Sequence, residues 1–90
     1  MRGTMTRERA ETIGLDALAF LAVMPEGFER FLRLSGLEVA VLRERASDPD
    51  YLRAVLDFLL TEDGLVSDFC KRHGLEVRDL HLAQHTLDRP

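Results

Sequence analysis

The sequence predicts an all-α protein, a compact six-helix bundle formed by tandem duplication of a three-helix unit. Apolar residues recur at helical spacing along most of the 90 residues, whereas the alternation typical of strands is nearly absent. The string Gly-Leu-Glu-Val occurs at 36–39 and again at 74–77, an offset of 38 residues. Between residues 18–42 and 56–80, nine residue pairs are identical at this offset: Leu18/Leu56, Phe20/Phe58, Leu21/Leu59, Phe31/Phe69, Gly36/Gly74, Leu37/Leu75, Glu38/Glu76, Val39/Val77 and Leu42/Leu80.

Composition and length indicate one small folded domain that spans residues 1–90. With 46% apolar and 31% charged residues, the chain is typical of a globular protein. The formal net charge of −4 provides no overall attraction for DNA or for an anionic membrane. A single cysteine cannot form an internal disulfide, which favours a reducing compartment. We expect a cytoplasmic protein without a membrane span, because the apolar stretch Ile13–Met24 is too short to cross a bilayer.

The first predicted unit, repeat one at about 12–46, contains three helices. The first helix covers Glu8–Met24 and carries two apolar stripes, so other helices should cover it on several sides. Pro25 starts a second helix that extends to Leu34 and ends at Gly36, where glycine permits a left-handed cap. A short third helix is expected over Glu38–Ala46. Residues 1–7 are expected to be a disordered leader, with the native start at either the first or the second methionine.

The second unit, repeat two at about 50–84, follows the same pattern. Asp48 is a predicted N-cap, and the next residue is a proline at the first position of a helix over Pro49–Leu60. A fifth helix over Glu62–Arg72 ends at Gly74, and a sixth covers Glu76–Leu87. Neither unit can bury its own first helix alone. The first and fourth helices should therefore pack together, with the others around them.

Three segments carry a family resemblance. They are Asp48–Leu60 (Asp-Pro-Asp-Tyr-Leu-Arg-Ala-Val-Leu-Asp-Phe-Leu-Leu), Phe69-Cys70 and Gly74-Leu75. Here the chain resembles a small family of uncharacterised bacterial proteins that carry a domain of unknown function, and the string from Ala10 to Ala22 is similar to the family's N-terminal part. Tyr51 replaces a phenylalanine of the motif, and valines 39 and 77 replace an expected proline. The resemblance implies a fold and a bacterial cytosol, but no activity.

Function is expected at a protein surface. Two nearly all-apolar helices supply more apolar surface than six short helices can cover, and such a surplus marks a protein-binding or self-association site. The expected patch consists of Leu15, Val23, Phe58 and Leu60. We therefore predict a non-enzymatic interaction module or homodimer, without a cofactor or a small-molecule substrate. Complete coverage of these side chains by the fold is the competing interpretation.

A helix-turn-helix-like DNA-binding protein is the alternative function, because each glycine lies between two short helices. Exposed side chains would then contact DNA from the third helix or from the sixth: Arg43 and Arg45, or Arg78, Gln84 and His85. Both helices open with a glutamate, which repels the phosphate backbone. DNA is therefore the weaker alternative.

Metal binding and catalysis have less support. Cys70, His73, His81 and His85 are residue types that zinc accepts, but their spacing matches no known zinc framework. Cations beside Cys70 suggest a reactive thiol, yet this cysteine lies near a helix C-terminus, where the dipole opposes a thiolate. We expect Cys70 to be a small buried apolar residue, and we predict neither a metal site nor a catalytic residue.

Overall fold

The computed structural model describes residues 5–88, and this part of the chain forms six α-helices and no strand. In chain order the helices are α1 (Arg7–Ala22), α2 (Pro25–Ser35), α3 (Val39–Glu44), α4 (Pro49–Leu60), α5 (Asp63–His73) and α6 (Val77–Asp88). The all-α prediction is confirmed, and every helix end lies within two residues of its expected position. None of the helices within 5–88 combines the length and the hydropathy that a bilayer crossing requires.

The N-terminal ends of α1 and α4 are capped by side chains. Thr6 accepts a hydrogen bond from the backbone N–H of Arg9 at 3.1 Å, and Asp48 accepts one from Asp50 at 2.9 Å. The predicted Asp48 cap is therefore confirmed. Met5 packs against the core and α1 starts at Arg7, within the segment expected to be a leader. The rest of that prediction falls on residues 1–4, outside the described part of the chain.

The two glycines end α2 and α5 as expected. Gly36 has φ 75° and Gly74 has φ 64°, both in the left-handed region that glycine tolerates best. At Gly74 the Schellman pattern forms, because the N–H of Leu75 donates to the carbonyl of Cys70 at 2.9 Å. The N–H of Leu37 donates instead to Ser35 Oγ at 3.3 Å. The two caps thus share a backbone conformation but differ in hydrogen bonding.

The core lies where α1, α4 and α6 meet. α1 packs against α4, as predicted, and α6 packs against both. Gly14 allows the close approach of α1 to α4, since a β-carbon at this position would lie 2.8 Å from Leu52 Cβ. α3 packs lightly and buries only Leu42. The central position of α6 was not foreseen from the sequence.

The coverage of α1 differs from the expectation. One stripe of α1 is buried in the core, including Ile13 and Leu21. The second stripe was expected to lie under other helices, but Leu15 and Ala22 are exposed and Leu18 is half-buried. α1 is therefore covered along one face only, which leaves an apolar strip on the surface.

The offset of 38 residues recurs in the helix bounds and in burial. Adding 38 to the bounds of α2, 25–35, gives 63–73, which are the bounds of α5. Of the nine identical pairs, eight have both members in the same burial class, and Leu18/Leu56 is the exception. α3 and α6 differ most, with 6 and 12 residues. The duplication itself remains a prediction.

Candidate interaction surface

The four residues of the expected patch do not share one degree of exposure. Leu15, on the uncovered strip of α1, is 40% exposed, and Val23, which directly follows α1, is 73% exposed. Leu60 is half-buried, and Phe58 is only 6% exposed. The expected exposure of Phe58 is wrong because the ring of Phe31, from α2, packs edge to face on it at a centroid distance of 5.6 Å.

A groove that apolar side chains line lies between the C-terminal halves of α2 and α4. We call it the α2–α4 groove. Its volume is about 310 Å³, and it is lined by Phe31, Leu34, Ser35, Ala54, Asp57, Phe58 and Thr61. Leu34 stands at its edge with 71% of its surface exposed. The groove therefore combines an aromatic floor with a leucine that the fold leaves in water.

Asp57 places a carboxylate in the α2–α4 groove. This half-buried side chain accepts a hydrogen bond from Gln84 Nε2 of α6. No cationic side chain within residues 5–88 forms an ion pair with it. Because an ionised carboxylate accepts about four hydrogen bonds, Asp57 retains acceptor positions for an external donor.

A second aromatic pair, Phe20 with Phe69, joins α1 to α5. We call Phe20–Phe69 the covered pair and Phe31–Phe58 the open pair. The rings of the covered pair lie 5.3 Å apart at an interplanar angle of 62°, and the open pair has the same angle. The two pairs correspond residue by residue, since Phe31 and Phe69, like Phe20 and Phe58, are 38 positions apart.

Polar side chains lie over the rings of the covered pair, Phe20 and Phe69. Arg72 Cζ lies 5.6 Å from the centroid of the Phe20 ring, a cation–π distance. The ring of His73 lies 4.5 Å from that of Phe69, and its Nδ1 is 3.8 Å from Asp16 Oδ2. An arginine, a histidine and a carboxylate therefore occupy the surface above this pair.

The open pair has different side chains at these positions, although its rings are as buried as those of the covered pair. The residues 38 positions before Arg72 and His73 are Leu34 and Ser35, and the residue 38 positions after Asp16 is Ala54. All three of these smaller or uncharged side chains line the α2–α4 groove. The groove thus forms where smaller or uncharged side chains occupy the positions that an arginine, a histidine and an aspartate occupy in the other unit.

A wider and more open groove lies between the α1–α2 and α4–α5 turns. Val23 lines it, and an ion pair between Arg30 and Glu62, 2.6 Å long, crosses it. Glu26 and Asp68 make the remainder of its polar rim acidic. An exposed ion pair of this kind contributes little to stability. Met24 and Leu65 also line this groove, so its surface mixes apolar side chains with charged ones.

Cys70 and the histidines do not converge on one site. Cys70 is buried, and burial raises the pKa of its thiol, with a further contribution from Asp79. A raised pKa opposes the thiolate that a nucleophile needs. His81 and His85 are exposed on α6, whereas His73 lies against Phe69. Within 5–88, no three of the residue types that bind metals are close enough to hold an ion.

The arginines considered for DNA contact are exposed on two separate helices. Arg43 lies on α3 and Arg78 on α6, and Arg45 directly follows α3. At the start of α6, the carboxylate of Asp79 accepts the N–H of Glu76 at 2.9 Å. This carboxylate occupies the helix end at which a recognition helix would meet phosphates.

Comparison with known proteins identifies the family. A family model described as "Protein of unknown function (DUF3572)" matches residues 7–90. The chain belongs to this family. No curated protein and no solved structure matches the chain. Membership confirms the resemblance to a domain of unknown function, and the DUF3572 description assigns no activity to any residue of the groove.

The sequence pattern did not single out Leu34 or Asp57, and it indicated Gln84 only as a possible DNA contact. Leu34 lies at the edge of the buried stripe of α2, and periodicity alone does not place such a residue inside or outside. A signal was present in the 38-residue offset, because the charged Arg72 occupies the position that corresponds to Leu34. A leucine aligned with a charged residue indicates an apolar side chain at a solvent-facing position.

Proposed function

We propose that this protein is a non-enzymatic interaction module and that the α2–α4 groove receives a segment of a partner protein. The observation that supports the proposal is Leu34, a leucine 71% exposed at the edge of an apolar groove. Burial of apolar surface provides about 25 cal/mol per Å². A partner that covers Leu34 and fills the groove gains this free energy without rearranging the core.

The size of the groove favours a side chain over a whole helix. A volume of about 310 Å³ lies at the lower end of the range for small-molecule pockets, about 300–1,000 Å³. An anchor side chain inserted into such a pocket is the usual centre of a protein interface. The setting that we propose is a bacterial cytoplasm, in line with the single reduced cysteine.

Self-association through α1 is a second candidate. The uncovered strip of α1 runs from Leu15 to Val23, the residue that directly follows the helix, and Ala19 and Ala22 between them are also exposed. Two copies of such a strip form a symmetric helix–helix contact. We do not propose DNA binding, because a glutamate directly precedes both candidate helices, α3 and α6.

Affinity purification from the native host tests the interaction module. A partner is first identified with the wild-type chain, and its affinity is then measured by calorimetry with purified proteins. Leu34→Asp should weaken binding by about tenfold or more, because it replaces the exposed apolar contact with a charge. Val39→Asp is the matched control, since Val39 is an exposed apolar residue outside the groove.

Two outcomes contradict the proposal. Equal affinity of the Leu34→Asp variant and the wild type would exclude the α2–α4 groove. A chain that captures no partner and shows a monomer mass by light scattering at all concentrations would exclude both the module and the homodimer. Loss of a dimer in Leu15→Asp, with Leu34→Asp still dimeric, would assign self-association to α1.

A further inference from the structure

We propose that the anchor entering the α2–α4 groove is an arginine side chain of the partner protein, with its stem against Leu34 and the accessible edge of Phe58 and its guanidinium on Asp57. This inference rests on the proposed function and specifies the chemistry of the partner. It is drawn from the difference between the open pair and the covered pair within the same chain.

The covered pair shows which side chains suit this surface. Arg72 of the chain itself lies over Phe20, and its guanidinium carbon is 5.6 Å from the ring centroid. A guanidinium is planar and weakly hydrated, so its face can stack on an aromatic ring while its N–H groups donate hydrogen bonds to water. At the corresponding position near Phe58, Leu34 replaces the arginine. Phe58 is 6% exposed and Phe20 is 5% exposed, so the two surfaces differ in the charge of the neighbouring side chain and not in the exposure of the ring.

The charge of the groove complements an arginine. Asp57 is the acidic residue among the side chains that line it, and it is not ion-paired within residues 5–88. The hydrogen bond from Gln84 fixes one carboxylate oxygen while acceptor positions remain. A guanidinium can donate two parallel hydrogen bonds to a carboxylate, whereas a lysine ammonium is a single point charge. Arginine therefore fits the groove better than lysine does.

An apolar anchor is a poorer match than arginine. It would cover Leu34, but it would also desolvate the carboxylate of Asp57, whose hydrogen-bond donor Gln84 carries no opposite charge. A buried charge without a partner is strongly unfavourable. The arginine stem supplies apolar contact, and its head supplies the donor, so one side chain satisfies both parts of the groove.

NMR titration of the isotope-labelled full chain provides a direct test. The probe is N-acetyl-arginine N-methylamide, added up to tens of millimolar, and the matched control is the citrulline analogue, which has nearly the same shape but no charge. Arginine should give saturable shifts at Ala54, Asp57 and Thr61, which decrease as salt is added. Leu15 and Val23, on the other surface, serve as internal controls and should not shift.

Two variants make the test specific. Asp57→Asn keeps a hydrogen-bond acceptor but removes the charge, and it should weaken arginine binding by about tenfold. Leu34→Arg combined with Ser35→His transfers the cover of the other pair into the groove. This double variant should lose the shifts because its own arginine occupies the site. Dispersed spectra and an unchanged melting temperature confirm that each variant is folded.

The outcomes separate this inference from the proposed function. Equal shifts with arginine and citrulline, or full binding by the double variant, would overturn the arginine site. If a purified partner binds Asp57→Asn as tightly as wild type but fails to bind Leu34→Asp, the groove is a docking site for another side chain. In that case the interaction module stands and the arginine anchor does not.

Discussion

The covered pair and the open pair have almost the same buried geometry and different surfaces. Their centroid distances are 5.3 and 5.6 Å, and both interplanar angles are 62°. Arg72 and His73 cover one pair, while Leu34 and Ser35 leave a groove at the other. The comparison teaches that the aromatic contacts hold the helices in place, and that side chains at the helix ends determine which surface is open.

α3 and α6 make a second contrast between the two units. Both follow a left-handed glycine and both bury a leucine at matching positions, Leu42 and Leu80. α6 continues beyond the length of α3, buries Ala83 and Leu87, and carries Gln84 to Asp57. The position that corresponds to Gln84 is Ala46, which lies beyond the end of α3. One unit therefore supplies the third helix of the core, and the other does not.

Removing either central ring should have the largest effect on stability. Phe31 and Phe69 are both fully buried. Phe31→Ala and Phe69→Ala should each lower the free energy of unfolding by about 3–5 kcal/mol, measured by urea unfolding. Leu34→Ala is the control and should change it by less than about 0.5 kcal/mol. If the loss in the free energy of unfolding at one ring exceeds that at the other by more than about 2 kcal/mol, the two pairs are not equivalent. Leucine variants give the same comparison should the alanine variants not fold.

Gly14→Ala should have the next largest effect. The new β-carbon would lie 2.8 Å from Leu52 Cβ, which is fixed to the backbone of α4, so the helices must separate. We expect a loss of about 1–3 kcal/mol by thermal unfolding, larger than the gain from replacing glycine in a helix. Gly64→Ala is the matched control, because nothing lies within 4 Å of its added carbon. It should be neutral or stabilising, and equal effects would contradict close packing at Gly14.

Replacing either of the two glycines that end α2 and α5 should lower the stability by a similar amount. Gly36→Ala and Gly74→Ala place a β-carbon in the left-handed region, at a cost of about 1–2 kcal/mol each. Nothing lies within 4 Å of either added carbon, so the loss is conformational and not steric. Asparagine should cost less than alanine at both positions. Chemical unfolding of the four variants measures these stability losses. If alanine left the stability unchanged at one of the two glycines, the caps would not be equivalent.

Cys70 should give the smallest effect, visible at alkaline pH. Burial raises the pKa of its thiol above the ordinary 9.0, so the folded state keeps its proton after the unfolded chain has lost it. The resulting stability is complete below the unfolded pKa and is lost as pH rises through the folded pKa. Urea midpoints of wild type should therefore fall faster above pH 9.0 than those of Cys70→Ala. Parallel pH profiles would show that the thiol ionises freely in the folded protein.

The helices and their caps followed from local chemistry. Asp48 before Pro49, and glycine at 36 and 74, define helix ends through the backbone conformations that these residues favour. α1 ended at Ala22 and not at Met24, because the residue before Pro25 is driven to an extended conformation, φ −114° and ψ 96°. Such signals lie within a few residues of one another.

The exposed groove did not follow from local chemistry. Phe58 and Leu34 are both apolar residues near the edge of a helical stripe, and only the packing of α2 on α4 decides their exposure. Phe58 is buried because Phe31 reaches it from another helix, whereas nothing in residues 5–88 covers most of Leu34. Long-range contacts of this kind leave no periodic trace in either helix.

Gly14 and Leu52, which meet where α1 crosses α4, are themselves 38 positions apart. An assembly of two identical half-length chains would have to place the same residue against itself at such a crossing. Two leucines would hold the helices apart, and two glycines would leave a void. Because both helices belong to one chain, a large side chain can sit on one and a bare backbone on the other. Covalent continuity thus permits a closer crossing than exact symmetry would allow.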